Sequence, residues 1–265
     1  MKVPIPPSPD NRSAKAIRLQ EALYSSRNPT RRWLHQSRRQ WLAEAVSRHR
    51  PHAENTVVEA GSGSNPLLAE CAGQYRLAVS LDKETALLQH ARQEVPGANR
   101  LTFLCGDIRG LPFGAGQVDL VICSEVLEHI PDATACLQEF SRILKPGGTL
   151  ILTTPQRFSL LEMVARLALR KSVIWLTRVI YREPVLPTGH INLMTSGDLA
   201  QKVEAAGFTI LEIHKSGLYL PGLAEIPLPA SQKIAARLNT GLAGTILDFL
   251  LWTQGVVAEK KATPR

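Results

Sequence analysis

The chain has 265 residues, 44% of them hydrophobic, with a formal net charge of +8 and four cysteines. This length and apolar content allow one large α/β core with accessory elements. The cysteines lack metal-ligand spacing, which argues against a zinc site or a disulfide framework and indicates reduced thiols in a cytosolic protein. They are Cys71, Cys105, Cys123 and Cys136, of which Cys105 and Cys123 fall in predicted core strands.

The N-terminal part of the chain carries the whole net charge. Residues 1–50 contain 11 Lys or Arg and 3 acidic residues, whereas the remainder contains 20 of each. The first ten residues are rich in proline and lack the apolar core of a signal peptide, so we expect a disordered tail. Thr30 is a candidate N-cap for a helix that runs to about Arg48. Residues 1–50 are therefore interpreted as a basic N-terminal arm.

Three interpretations of this arm remain open. Its arginines share the predicted helix with Trp33, Leu34 and Trp41. They could form a solvated helix face, a surface that attracts an anionic membrane or an acidic substrate, or a nucleic-acid surface.

The stretch from Val57 to Asn65 reads Val-Val-Glu-Ala-Gly-Ser-Gly-Ser-Asn and is the most informative in the chain. A β-branched run that ends in an acid and leads into spaced glycines is typical of a strand that presents its tip to a nucleotide cofactor. Gly61 and Gly63 permit positive φ, Asn65 tolerates left-handed geometry, and Pro66 suits the first turn of a following helix. By itself, such a loop is also compatible with a simple tight turn.

Four further apolar runs follow, and polar residues stand where they end. The runs are Leu77–Leu81 before Asp82, Leu101–Cys105 before Gly106-Asp107-Ile108, Val118–Cys123 before Ser124-Glu125, and Thr149–Thr153. In a parallel sheet the ligand crevice lies outside the carboxyl ends of the strands, so these polar residues mark one shared site.

Three carboxylates at this edge match three groups of one ligand. Glu59 is placed to accept from an ammonium, Asp82 from a ribose diol and Asp107 from an exocyclic amine. S-adenosylmethionine carries an α-amino group, a ribose and an adenine, and it fits this set better than a dinucleotide does. The dinucleotide pattern Gly-x-Gly-x-x-Gly would need glycine where the chain has Pro66, and the loop contains nothing basic to meet a pyrophosphate.

The stretch from Val57 to Pro155 resembles class I S-adenosylmethionine-dependent methyltransferases, and within them the small-molecule branch that includes the ubiquinone and menaquinone biosynthesis methyltransferases. One departure is Asn65, which stands where the family usually has the third glycine of its loop. Weaker similarities lie at Gly189-His190-Ile191-Asn192 and Ala206-Gly207-Phe208. The main motifs are Glu59-Ala60-Gly61-Ser62-Gly63, Asp82, Gly106-Asp107-Ile108, Leu111-Pro112-Phe113, Asp119-Leu120-Val121-Ile122, Leu127-Glu128-His129 and Leu144-Lys145-Pro146-Gly147-Gly148.

The resemblance implies a Rossmann-like, seven-stranded, mostly parallel sheet with helices on both faces. It divides the chain into the arm, residues 1–50, and a methyltransferase domain with lid insertions, residues 51–265. S-adenosyl-L-methionine is the implied cofactor. Nucleic acid is not an expected partner, because base-modifying relatives carry an Asn-Pro-Pro-aromatic or Pro-Cys signature where this chain reads Cys-Ser-Glu-Val. The implied cofactor-binding residues are Glu59, Gly61, Ser62, Gly63, Asp82, Lys83, Asp107, Ile108, Ser124 and Glu125.

Two insertions are expected to carry the information about the methyl acceptor. Residues 157–188 contain an amphipathic helix and a second predicted helix over Val173–Tyr181. Residues 217–251 separate a sixth strand, Thr209–His214, from a seventh near Gln254–Glu259. Either segment could be an ordinary lid, or an apolar pocket or interfacial patch for a lipid-like substrate. Neither contains the uninterrupted apolar stretch of about 18 residues that a membrane span needs.

Catalytic residues are harder to assign, because the cofactor supplies the driving force and only some acceptors need a base. His129 and His190 are the candidate proton acceptors, although either could instead serve a structural hydrogen bond. Glu125, Glu128 and His129 have the i, i+3, i+4 spacing of a metal site on a helix, and some quinone O-methyltransferases with a similar stretch use one. No metal is expected here, because Leu-Glu-His also occurs in relatives where the glutamate only stabilises a helix start.

The sequence thus predicts a cytoplasmic or peripherally membrane-bound methyltransferase. Its expected acceptor is a small, hydrophobic, aromatic or lipid-like molecule that is methylated on oxygen or carbon. One alternative is a non-catalytic scaffold or sensor that binds S-adenosylmethionine. Another, less favoured because of Pro66, is a Rossmann-type NAD-dependent oxidoreductase.

Overall fold

The computed structural model describes residues 17–18, 20, 29–49, 54–168, 190–220 and 229–262. Seven strands lie within these ranges: β1 (Thr56–Ala60), β2 (Leu77–Asp82), β3 (Thr102–Cys105), β4 (Val118–Ser124), β5 (Leu144–Pro155), β6 (Phe208–Ser216) and β7 (Thr253–Lys260). They form one sheet in the order β3-β2-β1-β4-β5-β7-β6. The first five strands pair in parallel, whereas β7 runs antiparallel to β5 and β6. The predicted mostly parallel Rossmann-like sheet is confirmed.

The centre of the sheet is buried on both faces. All residues of β1 are buried, and so are most of β4 and β5. Parallel strands covered on both faces read as continuous apolar runs, which is the pattern that identified them in the sequence. The chain leaves β1 towards β2 on one side and returns to β4 on the other. This change of direction opens a crevice at the carboxyl ends of β1 and β4.

Six helices cover the sheet in the described part of the chain: α1 (Pro29–Arg48), α2 (Thr85–Glu94), α3 (Ala133–Ile143), α4 (Leu160–Ala168), α5 (Ser196–Ala205) and α6 (Pro229–Leu242). The Asp132 carboxylate caps α3 by accepting from two backbone N–H groups, and Thr195 with Asp198 forms a capping box on α5. Over the described ranges, none of the helices combines the length and apolar character needed to cross a membrane.

The helix predicted in the basic arm is present as α1, but it is not only a solvated surface. Trp41, Leu42 and Ala45 are buried in one cluster with Val57 of β1. Three arginines of α1 form ion pairs with residues of the sheet region: Arg38 with Glu125, Arg39 with Glu70 and Arg48 with Glu212. The α1 helix therefore shares the hydrophobic core of the domain, and a large part of its positive charge is matched within the chain.

Several local expectations are wrong or fall elsewhere. Thr30 does not cap α1, because it lies inside the first turn and its buried hydroxyl has no hydrogen-bond partner among the described residues. Cys105 is exposed at the end of β3, although Cys123 is buried as expected. The helix predicted over Val173–Tyr181 lies outside the described residues.

The glycine loop is followed by short 3-10 turns at Leu67–Glu70 and Ala72–Gln74 instead of the expected α-helix. Pro66 precedes the first turn in an extended conformation, with φ −60° and ψ 134°. Among the described non-glycine residues, Glu125 alone has positive φ, so Asn65 does not use the left-handed geometry expected of it. Proline fixes φ at about −65°, which allows a helix start as well as an extended residue, and at Pro66 the chain takes the extended ψ.

Candidate functional site

The glycine loop has the backbone geometry that the sequence predicted. Gly61 and Gly63 have φ of +77° and +62°. A Cβ at position 61 would overlap the side chain of Val126, and one at position 63 would lie 2.7 Å from the amide oxygen of Gln20. Both positions therefore favour glycine for conformation, and position 61 also requires it for space. The loop passes tightly between the end of β1 and the residues that cover it.

Asp82 holds the glycine loop against the tip of β2. One carboxylate oxygen accepts the Gly63 N–H at 2.9 Å, and the other accepts the Glu84 N–H at 2.9 Å. Gly61 and Ser62 add backbone hydrogen bonds to the Leu81 carbonyl oxygen. Each carboxylate oxygen can accept more than one hydrogen bond, so Asp82 keeps capacity to accept from a diol.

Glu59 has a role in the loop that the sequence did not predict. Its two oxygens accept the N–H groups of Leu67 and Leu68, both at 2.9 Å, at the start of the 3-10 turn. Burial raises the pKa of Glu59 to about 7, although these two hydrogen bonds and the nearby Arg39 favour the charged form. In this structure Glu59 fixes the loop, and an ammonium contact stays a prediction.

Asp107 lies beyond β3 and is engaged locally. Arg109 donates to its carboxylate from the backbone N–H and from the guanidinium. These hydrogen bonds hold the pKa of Asp107 at about 2, so it is a carboxylate at any physiological pH. Its predicted neighbours differ in exposure, since Ile108 is buried and Lys83 is exposed. Asp107 is thus available at the surface of the crevice as an acceptor.

The residues after β4 turn sharply towards α1. Ser124 pairs its hydroxyl with that of Thr153 at 3.0 Å. Glu125 adopts φ 55°, which costs a non-glycine residue free energy and directs its carboxylate away from the strand. That carboxylate lies 2.9 Å from Nη1 of Arg38, whose side chain is 5% exposed. Glu125, 17% exposed, therefore forms a partly buried ion pair with α1.

The alternative metal set of Glu125, Glu128 and His129, which the sequence did not favour, does not assemble. Leu127–His129 is a 3-10 turn, and Glu125 points to Arg38. Instead, the ligand atoms of Glu128, His129 and His190 all lie within 4.8 Å of one another. Glu128 is fully buried, which raises its pKa well above the ordinary value, and its Oε1 has no hydrogen-bond partner among the described residues. This spacing is compatible with a divalent ion or with proton exchange between the three groups.

His190 is the more buried of the two candidate histidines. Its Nδ1 lies 3.1 Å from Oε1 of Glu162 on α4, and the two side chains are 11% and 5% exposed. This is an ion-pair distance, but the hydrogen-bond alignment is poor. Glu162 also accepts from the indole N–H of Trp252 at 3.3 Å. His129 is 44% exposed, and its ring centroid lies 5.2 Å from that of His190.

Residues from five distant parts of the chain thus meet beside the crevice. We call this set the polar cluster: Arg38, Glu125, Glu128, Glu162, His190 and Trp252. Sequence reasoning did not assign roles to Arg38, Glu162 or Trp252, because no spacing pattern links α1, α4 and the start of β7. It also missed Gln20, whose side chain accepts from the Ser64 N–H and hydroxyl at 2.7 Å and so covers the loop.

The fold, the glycine loop and the carboxylates at the strand tips define a class I S-adenosylmethionine-dependent methyltransferase domain. Residues 58–152 match the family model described as a methyltransferase domain. The chain therefore contains a domain of this class, whose cofactor is S-adenosylmethionine. The residues present fit that cofactor. Gly61 and Gly63 leave the turns of the loop without a Cβ, and carboxylates stand at the end of β2 and just beyond β3, at Asp82 and Asp107.

Comparison with individual proteins gives the same class. The chain is 28% identical to an S-adenosylmethionine-dependent methyltransferase of Mycolicibacterium smegmatis, over 63% of this chain and 58% of the relative. It is 25% identical to the ubiquinone biosynthesis O-methyltransferase of Coxiella burnetii, over 59% of this chain and 64% of the relative. It thus spans less than two thirds of either relative.

A solved structure extends the likeness to almost the whole chain. It is a chain of the complex between the Haloferax volcanii Trm112 methyltransferase activator and a methyltransferase. The TM-score is 0.62 at 21% identity, with 97% of this chain and 100% of that chain covered. At this identity the match shows a shared fold.

Proposed function

We propose that the protein is a methyltransferase that transfers the methyl group of S-adenosylmethionine to oxygen or carbon of a small hydrophobic or aromatic acceptor. The observation that carries the transfer reaction is the loop held by Asp82 at the carboxyl end of β2, in a domain that matches methyltransferases. The bound cofactor supplies an activated methyl group on a sulfonium. The chain must then position an acceptor in line with it and exclude water.

The cofactor is proposed to lie across the carboxyl ends of β1, β2 and β3. Asp82 would accept from the ribose hydroxyls, and Asp107 would accept from the adenine amino group. Gly61 and Gly63 would leave room for the ligand against the backbone. Glu59 would hold the loop in shape through Leu67 and Leu68.

The acceptor is proposed to bind beside the polar cluster, at the end of β5. Two large apolar side chains are exposed there, Phe158 at 46% and Ile191 at 64%. They belong to neighbouring segments, since the Arg157 N–H donates to the Met194 carbonyl oxygen at 3.1 Å. Exposed apolar side chains next to a polar cluster favour an acceptor with a hydrophobic body and one reactive polar group.

His190 is proposed to take the proton from an oxygen or carbon acceptor. The Glu162 carboxylate lies 3.1 Å from Nδ1 of His190, and a small rotation that aligned this contact would orient the ring for the transfer. His129 is the second candidate, and its larger exposure makes its orientation less fixed. Glu128, buried and with a raised pKa, adds a group that can exchange a proton with either ring.

Two other functions remain as alternatives. A scaffold or sensor would bind the cofactor without transfer, and loss of Glu59, Asp82 or Asp107 would have indicated it, but all three are present. An NAD-dependent oxidoreductase is disfavoured by the loop, which has Pro66 where the dinucleotide pattern requires glycine.

Calorimetric titration with S-adenosylmethionine, S-adenosylhomocysteine and NAD tests the cofactor assignment. We expect both sulfur ligands to bind and NAD not to bind. Asp82→Ala removes charge-assisted hydrogen bonds worth about 1.5–3 kcal/mol, so affinity should fall by roughly 10- to 100-fold. The matched control is Asp132→Ala, which also removes a carboxylate that accepts two backbone N–H groups, but at the start of α3.

Thermal unfolding of each variant shows whether its fold is intact. Binding of NAD alone, or equal losses in the two variants, would overturn the cofactor site. If the sulfur ligands bind, aromatic and lipid-phase acceptors are screened for methyl transfer. A protein that binds both but transfers to none would support the scaffold alternative.

A further inference from the structure

Exposed apolar side chains are concentrated in one region of the described chain, away from the cofactor loop. Nine large hydrophobic residues are exposed in the described ranges, and five of them lie between positions 234 and 249. They are Ile234, Leu238, Ile246, Leu247 and Phe249. Single exposed apolar residues are ordinary on a protein surface, whereas a concentration of this kind marks an interaction site.

The α6 helix divides its residues between a packed face and an outer face. Ala235 is buried, and the Asn239 side chain accepts the Gly217 N–H at 2.7 Å, so this face is fixed against the domain. Ile234 and Leu238, four residues apart, are 44% and 45% exposed on the outer face. The helix therefore presents an apolar stripe without a partner in the described chain.

Basic residues stand beside this stripe, and acidic ones are missing. Lys233 and Arg237 are exposed next to Ile234 and Leu238, and neither forms an ion pair with a described residue. The sequence from 226 to 247 contains no Asp or Glu. Asp248, which follows, is already paired with Lys215 at 3.3 Å. The surface is thus positive as well as apolar.

The loop after α6 adds the most exposed apolar residue described. Ile246 is 92% exposed, and Leu247 and Phe249 beside it are 45% and 38% exposed. From Phe249 the chain reaches buried Trp252 within three residues, and the Trp252 indole donates to Glu162 of the polar cluster. The exposed loop is therefore joined along the chain to the polar cluster, beside which the acceptor is proposed to bind.

We propose that α6 and the following loop, with Lys233, Ile234, Arg237, Leu238, Ile246 and Phe249, form a docking surface for an anionic lipid membrane. Side chains such as Ile and Phe insert at the boundary between headgroups and acyl chains, while Lys and Arg remain with the anionic headgroups. An anionic membrane would repel acidic side chains, so the absence of Asp and Glu from residues 226–247 fits this partner. A lipid-like acceptor would then be reached at the membrane, which goes beyond the proposed methyl transfer.

This location differs from the N-terminal arm, which the sequence suggested for anionic partners. The arginines of α1 at positions 38, 39 and 48 are paired with glutamates of the same chain. The positive charge of these arginines is partly neutralised by the glutamates, so they should attract an anionic membrane less than Lys233 and Arg237 do.

Co-sedimentation with vesicles tests the proposal on the full chain. Wild-type protein should bind vesicles of equal parts phosphatidylcholine and phosphatidylglycerol, and bind pure phosphatidylcholine less well. Removing two inserted side chains with Ile246→Ser and Phe249→Ser should lower the partition coefficient by at least about tenfold. Lys233→Gln with Arg237→Gln should remove the preference for phosphatidylglycerol and its salt dependence.

The matched control is the double variant Leu211→Ser with Ile213→Ser. These residues are 49% and 54% exposed but lie on β6, outside the proposed surface. It should bind vesicles like the wild type. Failure of the wild type to bind, or an equal loss in the control, would overturn the membrane assignment and leave a protein partner as the occupant. Cofactor titration is independent of both results, so the two proposals fail separately.

Discussion

The cofactor edge of the sheet and the polar cluster beside it are built in opposite ways. The cofactor edge is local: its carboxylates stand at or just beyond the ends of β1, β2 and β3, and Gly63 is tied to Asp82 only 19 residues along the chain. The polar cluster joins Arg38 of α1, Glu125 after β4, Glu162 of α4, and His190. Its ion pairs span 28 residues, between 162 and 190, to 87 residues, between 38 and 125.

The two regions also differ in how they treat charge. At the cofactor edge, carboxylates accept from backbone N–H groups, which are available wherever a strand ends in a loop. In the polar cluster, charged side chains pair with each other where little solvent reaches them. Such pairs stabilise the protein only while both partners are present. Substitutions should therefore affect the cluster more than the loop.

The largest expected effect is on catalysis by His190. His190→Ala should lower kcat for an oxygen or carbon acceptor found in the screen by about 10²- to 10⁴-fold, because general-base catalysis contributes that much. Affinity for S-adenosylmethionine, measured by calorimetry, should not change. His129→Ala is the control, with a loss below about tenfold, since its imidazole is 44% exposed and its Nε2 lies 3.9 Å from Oε1 of Glu128, a longer contact than that between His190 and Glu162.

A chelator separates proton transfer from metal chemistry in the same assay. The His190 assignment as a base requires that wild-type kcat be unchanged after treatment with EDTA. Equal losses in the two histidine variants together with inactivation by EDTA would mean that Glu128, His129 and His190 act as metal ligands.

The same contrast explains how much could be predicted from the sequence. The strands and the polar residues at their carboxyl ends could be predicted from the hydrophobic runs. The positive φ of Gly61 and Gly63 could be predicted from the glycine spacing. The break after the loop was missed, because Pro66 was compatible with a helix start as well as with an extended residue. Glu125 was expected at the cofactor, but its positive φ and the partner on α1 depend on tertiary packing.

The second expected effect concerns the stability of the Arg38 ion pair. Arg38→Ala should lower the free energy of unfolding by about 3–5 kcal/mol, because the Glu125 carboxylate, whose side chain is only 17% exposed, would be left without its partner. Arg48→Ala removes the ion pair with Glu212, in which the two side chains are 45% and 34% exposed. It should lower the free energy of unfolding by no more than about 1 kcal/mol. Urea unfolding at neutral pH measures both.

A double variant sharpens this test. Arg38→Met with Glu125→Gln removes both charges and should recover part of the loss, since neither partner then stays unpaired. If Arg38→Ala and Arg48→Ala had similar small effects, α1 would be a peripheral attachment and the contrast between the two regions would fail.

The smallest effect comes from the cofactor edge, where Glu59 makes stability depend on pH. Burial raises its pKa from 4.5 to about 7 in the folded protein, so between these values the folded state binds more protons than the unfolded state. This contribution is fully present below pH 4.5 and is lost as pH rises through 7. At about 1.4 kcal/mol per pKa unit, the loss amounts to about 3 kcal/mol.

Glu59→Gln is the variant that isolates this contribution, because it keeps the shape but does not titrate. The difference in free energy of unfolding between wild type and Glu59→Gln should fall by about 3 kcal/mol from pH 4.5 to 7.5. Urea unfolding at several pH values measures it, and Arg39 and Glu70, the nearest charges, remain in both proteins. A constant difference would mean that the hydrogen bonds from Leu67 and Leu68 keep Glu59 ionised. The loop would then be held by charge, as the polar cluster is.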